Sequence, residues 1–237
     1  MENWIRADLR NAQKVRRSCK GIDWVISCAG APVNFNILKE RNSSYETQYH
    51  GNLNLLNEAF RRGVERFGYV SLYMSKTLKF TDYARAHEKF SLMLTDSGIP
   101  YTIIRPTAFF DTIHRLARKS AIYIPGSGIK KTNPVHEADV ALSLIEGMEK
   151  GIREISIGGP EVFQVKELFE TLCAIRNKTP RFINLKSPTA IKMTKALKII
   201  NPRVYELTRF SIATGLRTYI APQTGTQRLR DYEWRGK

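Results

Sequence analysis

The sequence predicts an α/β protein with a parallel sheet. Three observations carry that expectation: short, nearly continuous apolar runs, amphipathic segments of helical period between them, and turn residues closing each in regular alternation. A strand covered on both faces has no wet side, so it reads as an unbroken apolar run, as the strands of parallel sheets do.

The first such run is residues 23–29 (DWVISCA), ended by Gly30, Ala31 and Pro32. A helix follows. Ser43 and Glu46 have the spacing of a capping box, Leu53, Leu56 and Phe60 recur at helical spacing, and Gly63 supplies the stop. Residues 66–72 (RFGYVSL) form the next strand. Residues 83–97 form a helix with Phe90, Met93 and Leu94 on one face, ended by Gly98. Residues 101–105 (YTIIR) are a third strand, stopped by Pro106. Strand, helix, strand, helix, strand at this spacing means right-handed βαβ units. Beyond Pro106 the pattern loosens. Helices are expected over 108–119, 136–150 and 165–176, strands over 121–125, 154–158 and 181–186, and a turn-rich basic loop over 126–134. The remainder reads as mostly helical.

Composition sets the class. The 237 residues are 42% hydrophobic and 25% charged, which excludes a wholly disordered or collagen-like chain. No run approaches the length of a membrane-spanning helix, and Met1 is followed by Glu2, Asn3 and Trp4 rather than by a secretory signal. Cys19, Cys28 and Cys173 have no metal-ligand spacing; an odd, sparse count fits a reducing compartment, and a cytoplasmic location is expected.

Several segments agree with one family. Residues 21–30 (GIDWVISCAG) resemble the fourth strand of short-chain dehydrogenases/reductases, and 52–59 with 63–71 resemble the helix and strand that follow. Residues 97–107 (SGIPYTIIRPT) and 133–141 (NPVHEADVA) are similar to segments of the atypical, NmrA-like branch, and 158–161 (GGPE) to its strand exit. The resemblance covers residues 8 to about 161. It implies a Rossmann-type domain over 1–160, with a helical, basic, substrate-side region over 161–237.

The resemblance also implies site residues. In an open parallel sheet ligands bind beyond the carboxyl ends of the strands. Ala29, Gly30, Pro106 and Thr107 stand at such ends and are expected to hold NAD(P), with Asp8 near adenine. The superfamily's Tyr-x-x-x-Lys pair stacks on one helical face. Lys89 aligns with the lysine, so it is expected to hold the nicotinamide ribose, with Ser71 near the substrate oxygen. The tyrosine position is Arg85, which cannot donate a proton, and Tyr83 lies two residues off, about 200° round a 3.6-residue helix. Tyr73, Phe109, Phe110 and His136 are candidates for the substrate pocket; His136, Asn133 and Asp139 also read as residues that order a loop and a helix start.

The glycine fingerprint G-x-G-x-x-G, whose turn and helix end hold a dinucleotide's pyrophosphate, does not occur. The expectation is a domain truncated at its N-terminus. A truncated gene model, a degenerate relative and strands supplied by a partner are the alternatives, the first being favoured. On that reading this chain alone binds NAD(P) weakly or not at all, and the choice between NAD and NADP is not encoded in it.

The formal net charge is +16, of which residues 181–237 contribute +9. Lys192, Lys195 and Lys198 stack along a helical face, so a membrane surface or nucleic acid is a lesser possibility against a solvated face, and no nucleic-acid motif occurs. The expected function is NAD(P)-dependent oxidation or reduction of a small carbonyl-like substrate. The alternatives are a non-catalytic NAD(P)-sensing or scaffold protein and a basic surface binder. Neither substrate nor oligomeric state follows from the sequence.

Overall fold

The computed structural model describes residues 4–30, 45–185 and 197–232. Its elements run α1 (Ala12–Val15), β1 (Trp24–Ser27), a π-helical turn (Glu46–Gly51) leading into α2 (Asn52–Arg61), β2 (Arg66–Val70), α3 (Ser75–Leu78), α4 (Asp82–Thr95) and β3 (Tyr101–Pro106). Then follow α5 (Phe110–Ala117), β4 (Ile122–Pro125), β5 (Lys131–Thr132), α6 (Glu137–Glu149), β6 (Glu154–Ile157), β7 (Phe163–Gln164), α7 (Val165–Ile175), β8 (Phe182–Leu185) and α8 (Pro202–Gly215).

The main sheet has the order β1-β2-β3-β6, and every pairing in it is parallel. Its side chains alternate between two helical layers. Phe67, Tyr69 and Ile103 pack toward α2 and α4 against Leu56, Ala59, Phe90 and Leu94. Val70, Ile104 and Ile157 pack toward α6 against Val140, Leu144 and Met148. Two glycines let α6 approach closely: a Cβ on Gly68 would lie 2.6 Å from Met148 Sδ, and one on Gly147 would lie 2.4 Å from Ile155 Cδ1. Among the described residues β1 has only β2 as a strand partner, and Ile26, on the α6 side, is 43% exposed.

Beyond β6 the chain returns to the first half. β4 pairs in parallel with β8, and β5 pairs antiparallel with β7. Hydrogen bonds therefore cross residue 160. Phe110, Ile113, Ile124, Leu168 and Phe169 form a second core between α5 and α7. α8 closes against α4, where Ala213 and Phe210 meet Ala84 and Tyr83.

Apart from the start of the first helix, the strands and helices expected over stated ranges are present with ends shifted by no more than two residues. The pair β5–β7 falls within what reads as loop, because two residues are too few to show a period. The capping box involves Ser43, which lies outside the described residues, as do Ala31, Pro32, Lys192 and Lys195. From Glu46 onward the chain forms the π-turn instead of a regular first turn.

Candidate functional site

The cavity that bears on function lies at the carboxyl ends of β1, β2 and β3 and has a volume of about 510 Å³. Cys28, Ala29 and Gly30 line it, together with Ser71 and Thr107 and the aromatic side chains of Phe109, Phe169 and Phe210. The exposed side chains of Arg115, Lys131 and Arg217 stand at its edge.

Asn52 sets the turn after β1. Its amide donates to the carbonyls of Ala29 and Gln48, both at 3.0 Å, and its Oδ1 accepts from Ser27. The π-turn leaves the Gln48 and Thr47 carbonyls where one amide can reach them, and Asn52 is fully buried there. Among the described residues, a Cβ added at Gly30 would meet no atom within 4 Å. That suits the close approach of a nucleotide to the chain.

Arg105 organises the residues around Ser71. It is buried at the end of β3, and its Nη1 reaches Glu88 Oε2 at 3.2 Å, Ser71 Oγ at 3.4 Å and Ser75 Oγ, while its Nε reaches Glu154 at 3.3 Å. Ser75 Oγ donates to the same Glu88 oxygen at 2.6 Å. Ser71 is thereby held on the cavity wall, its hydroxyl accepting from a cation. Thr107 also lines the cavity, but its hydroxyl donates to the Asn133 carbonyl at 2.6 Å, which leaves only an oxygen lone pair for a ligand.

Helix α4 turns a different pair inward from the expected one. Tyr83 and His87 line the cavity; Arg85 and Lys89 do not, and both are exposed. The two pairs have the same four-residue spacing but differ by two positions, about 200° of rotation on a 3.6-residue helix. Arg85 pairs with Asp82. The Lys89 ammonium sits 4.3 Å from the centre of the Tyr49 ring and 5.5 Å from that of Tyr45, and its hydrogen bond to Tyr45 raises its pKa.

His87 is 5% exposed. Its Nδ1 lies 2.7 Å from the buried Tyr69 hydroxyl, and its Nε2 is buried with no hydrogen-bond partner among the described residues. Burial, and then the Arg105 charge, lower its pKa to about 3, so the ring is neutral. Burial raises the pKa of Tyr83 and Tyr69, so both phenols keep their protons. The Tyr83 ring lies 5.2 Å from His87 and 4.9 Å from Phe210. The i, i+4 repeat of Tyr83 and His87 was present in the sequence, but only the docking of α4 shows which face is inward.

The other expected residues are dispersed. Asp8 is ion-paired to Arg10 at 2.9 Å, and that hydrogen-bonded guanidinium lowers its pKa. Pro106 and Phe109 line the cavity. Tyr73, Phe110 and His136 are not among its lining residues. The Tyr73 ring stacks edge-on to Tyr219, and its carbonyl accepts from the Tyr219 hydroxyl at 2.6 Å. Phe110 is buried in the second core. His136 caps α6, its Nδ1 accepting from Ala138 N at 2.9 Å, so its ring is committed to the helix start.

Residues 2–150 match the model of the NAD(P)H-binding family. The 40 kDa subunit of mitochondrial NADH-ubiquinone oxidoreductase from Neurospora crassa is 26% identical over 205 residues, 81% of this chain and 53% of that one. Subunit 9 of the mitochondrial NADH dehydrogenase [ubiquinone] 1 alpha subcomplex from Arabidopsis thaliana is 29% identical over 105 residues, 39% of this chain and 26% of that one. This chain thus spans about half, or less, of the curated relatives it matches. In structure it resembles the NADPH-dependent quinone oxidoreductase of Escherichia coli complexed with NADPH, with a TM-score of 0.70, 19% identity, and coverage of 96% of this chain and 81% of that one. At that identity the likeness establishes the fold alone, a Rossmann-type parallel sheet flanked by helices.

Proposed function

The chain belongs to the NAD(P)H-binding family, and from that premise we propose that it is an oxidoreductase moving a hydride between NAD(P) and a small, quinone-like carbonyl compound. The observation that carries this reading is a cavity lined both by the Ala29–Gly30 turn and by the aromatic side chains of Phe109, Phe169 and Phe210. The residues present suit a dinucleotide: the Ala29–Gly30 turn, with no side chain larger than a methyl, for its adenosine half, and the Ser71 hydroxyl and the Pro106–Thr107 strand exit for its nicotinamide half. When bound, NAD(P)H supplies the hydride; the substrate carbonyl takes it together with one proton and leaves as the alcohol or hydroquinone. The aromatic lining would exclude water from that transfer and stack against a flat ring. The cationic edge would favour an anionic phosphate group.

A non-catalytic NAD(P) sensor or subunit is the second reading. Lys89 turned out of the cavity favours it, as does the naming of both curated relatives as subunits. Among the described residues no helix is long and apolar enough to cross a membrane. The deciding experiment titrates NADPH by fluorescence and then follows its oxidation against a panel of quinones and aldehydes. Because this sequence lacks the glycine fingerprint that holds the pyrophosphate, the proposal expects weak but saturable binding and quinone-dependent oxidation at high NADPH. Binding without turnover across the panel supports the sensor, and the absence of any nicotinamide nucleotide binding defeats both.

A further inference from the structure

The end of the sheet opposite the cavity is basic. In a parallel sheet the segments that enter the strands lie at one end and the ligand-facing turns at the other. Residues 10–23, which lead into β1, and 57–66, which lead into β2, together carry eight Lys and Arg against three Asp and Glu. The two segments are tied to each other. Arg17 N donates to Glu58 Oε1 at 2.7 Å, Arg62 Nε donates to the same oxygen at 2.9 Å, and Glu65 N donates to the Asp23 carbonyl at 2.8 Å. Glu58 is buried, and its charge is matched by Arg62; Asp23 and Glu65 are the exposed acids. Arg16, Arg17, Lys20 and Arg61 are exposed, and none has an ion pair among the described residues. Arg17 stands at φ +70° in a turn closed by Ser18 N on the Val15 carbonyl at 3.0 Å, a corner that glycine would fill without strain. Two apolar side chains are exposed in the same segments, Ile22 at 43% and Phe60 at 65%.

We infer that this end of the sheet is a docking surface for an anionic lipid membrane, with Arg16, Arg17, Lys20 and Arg61 at the headgroups and Ile22 and Phe60 in the interface. Unpaired cations on neighbouring turns repel one another, and an anionic surface relieves that repulsion. Acidic headgroups attract the cations, and apolar side chains set among them enter the boundary between headgroups and acyl chains. A nucleic acid backbone would match the cations but offer Ile22 no apolar contact. Docked in this way, the protein keeps its cavity facing away from the bilayer. The inference is independent of NAD(P) use.

The test is co-sedimentation of the whole chain with vesicles of phosphatidylcholine, with and without one-third phosphatidylserine. Each cation near such a surface is worth roughly five-fold in binding. The wild-type chain should bind the phosphatidylserine vesicles at least ten-fold more tightly, and should lose that preference at about 0.5 M salt, where screening is strong. The triple variant Arg16→Gln, Lys20→Gln, Arg61→Gln should bind them roughly a hundred-fold more weakly, with an unchanged circular dichroism melt. Should the triple variant fail to fold, Arg61→Gln alone, on an exposed helix end, should lose roughly five-fold. Phe60→Ser should weaken binding by roughly a few-fold, an effect that salt does not remove. Equal binding to the two vesicle types, binding to neither, or an unchanged triple or Phe60→Ser variant would overturn the inference. Loss of binding in Lys192→Gln, Lys195→Gln, Lys198→Gln but not in the triple variant moves the contact to the C-terminal region and rejects this surface. Polyuridylate bound more tightly than the phosphatidylserine vesicles at the same salt, and released by the triple variant, assigns the surface to nucleic acid and rejects the membrane.

Discussion

Replacing Asn133 should cost more stability than any exposed polar substitution, because its side chain bonds to two other segments of the chain, at Gly159 and at Ala221. Asn133 is fully buried just after β5. Its Nδ2 donates to the Gly159 carbonyl at 3.1 Å and the Ala221 carbonyl at 2.9 Å, and its Oδ1 accepts from Ala221 N at 3.0 Å. Its own carbonyl takes the Gly159 N–H and the Thr107 hydroxyl, bonds that any residue would keep. Asn133→Ala strands one N–H and two carbonyls; at the low end of about 1–3 kcal/mol per orphaned buried group, the loss is about 3 kcal/mol. For a chain of this size that is a fall in Tm of about 6–12 °C. Asn133→Asp is the sharper variant. It keeps the acceptor for Ala221 N but sets a charged oxygen against two carbonyls, so at pH 7 it should be at least as damaging as alanine. Thermal and urea melts followed by circular dichroism measure both. A loss below about 1 kcal/mol in Asn133→Ala, or an Asn133→Asp variant more stable than Asn133→Ala at pH 7, would refute the reasoning.

Two further outcomes are expected. Arg105→Met should destabilise the protein by about 3–5 kcal/mol, because it leaves the Glu88 carboxylate buried without its cation, and the double variant Arg105→Met, Glu88→Leu should recover part of that loss in urea melts. Stability should also fall on acidification. His87 has a pKa of about 3 in the folded protein against about 6.5 unfolded, so below pH 6.5 the unfolded chain takes up a proton that the folded one refuses. The His87 contribution is therefore complete above pH 6.5 and declines by about 1.4 kcal/mol per unit, or about 2 kcal/mol by pH 5. His87→Gln should flatten the stability profile between pH 6.5 and 5; an unchanged slope there would count against the buried, neutral ring.

The sequence by itself determined the order and kind of the main elements. Runs such as YTIIR and RFGYV are apolar on both faces, and that follows from composition and period without any knowledge of neighbours. It also placed Gly30 and Thr107 directly after strands of a parallel sheet, and both line the cavity. Asn133 and Asp139 were legible as ordering residues; Asp139 accepts from Thr226 N and Oγ1 and from Gln227 N.

Tertiary structure alone decided the face of α4. Tyr83/His87 and Arg85/Lys89 share one spacing, and a period cannot say which side of a helix meets a cavity. Packing of Ala84, Ala86 and Phe90 into the cores fixes that rotation and turns Lys89 outward to Tyr45 and Tyr49. The same holds for His87. Its hydrogen bond comes from Tyr69, eighteen residues earlier, and its neutral state from burial beside Arg105, and neither exists until the strands and the helix are docked. Local periodicity fixes the elements because it acts within a few residues of chain. The chemistry of the cavity depends on contacts between distant residues and on the exclusion of water, which only the folded arrangement provides.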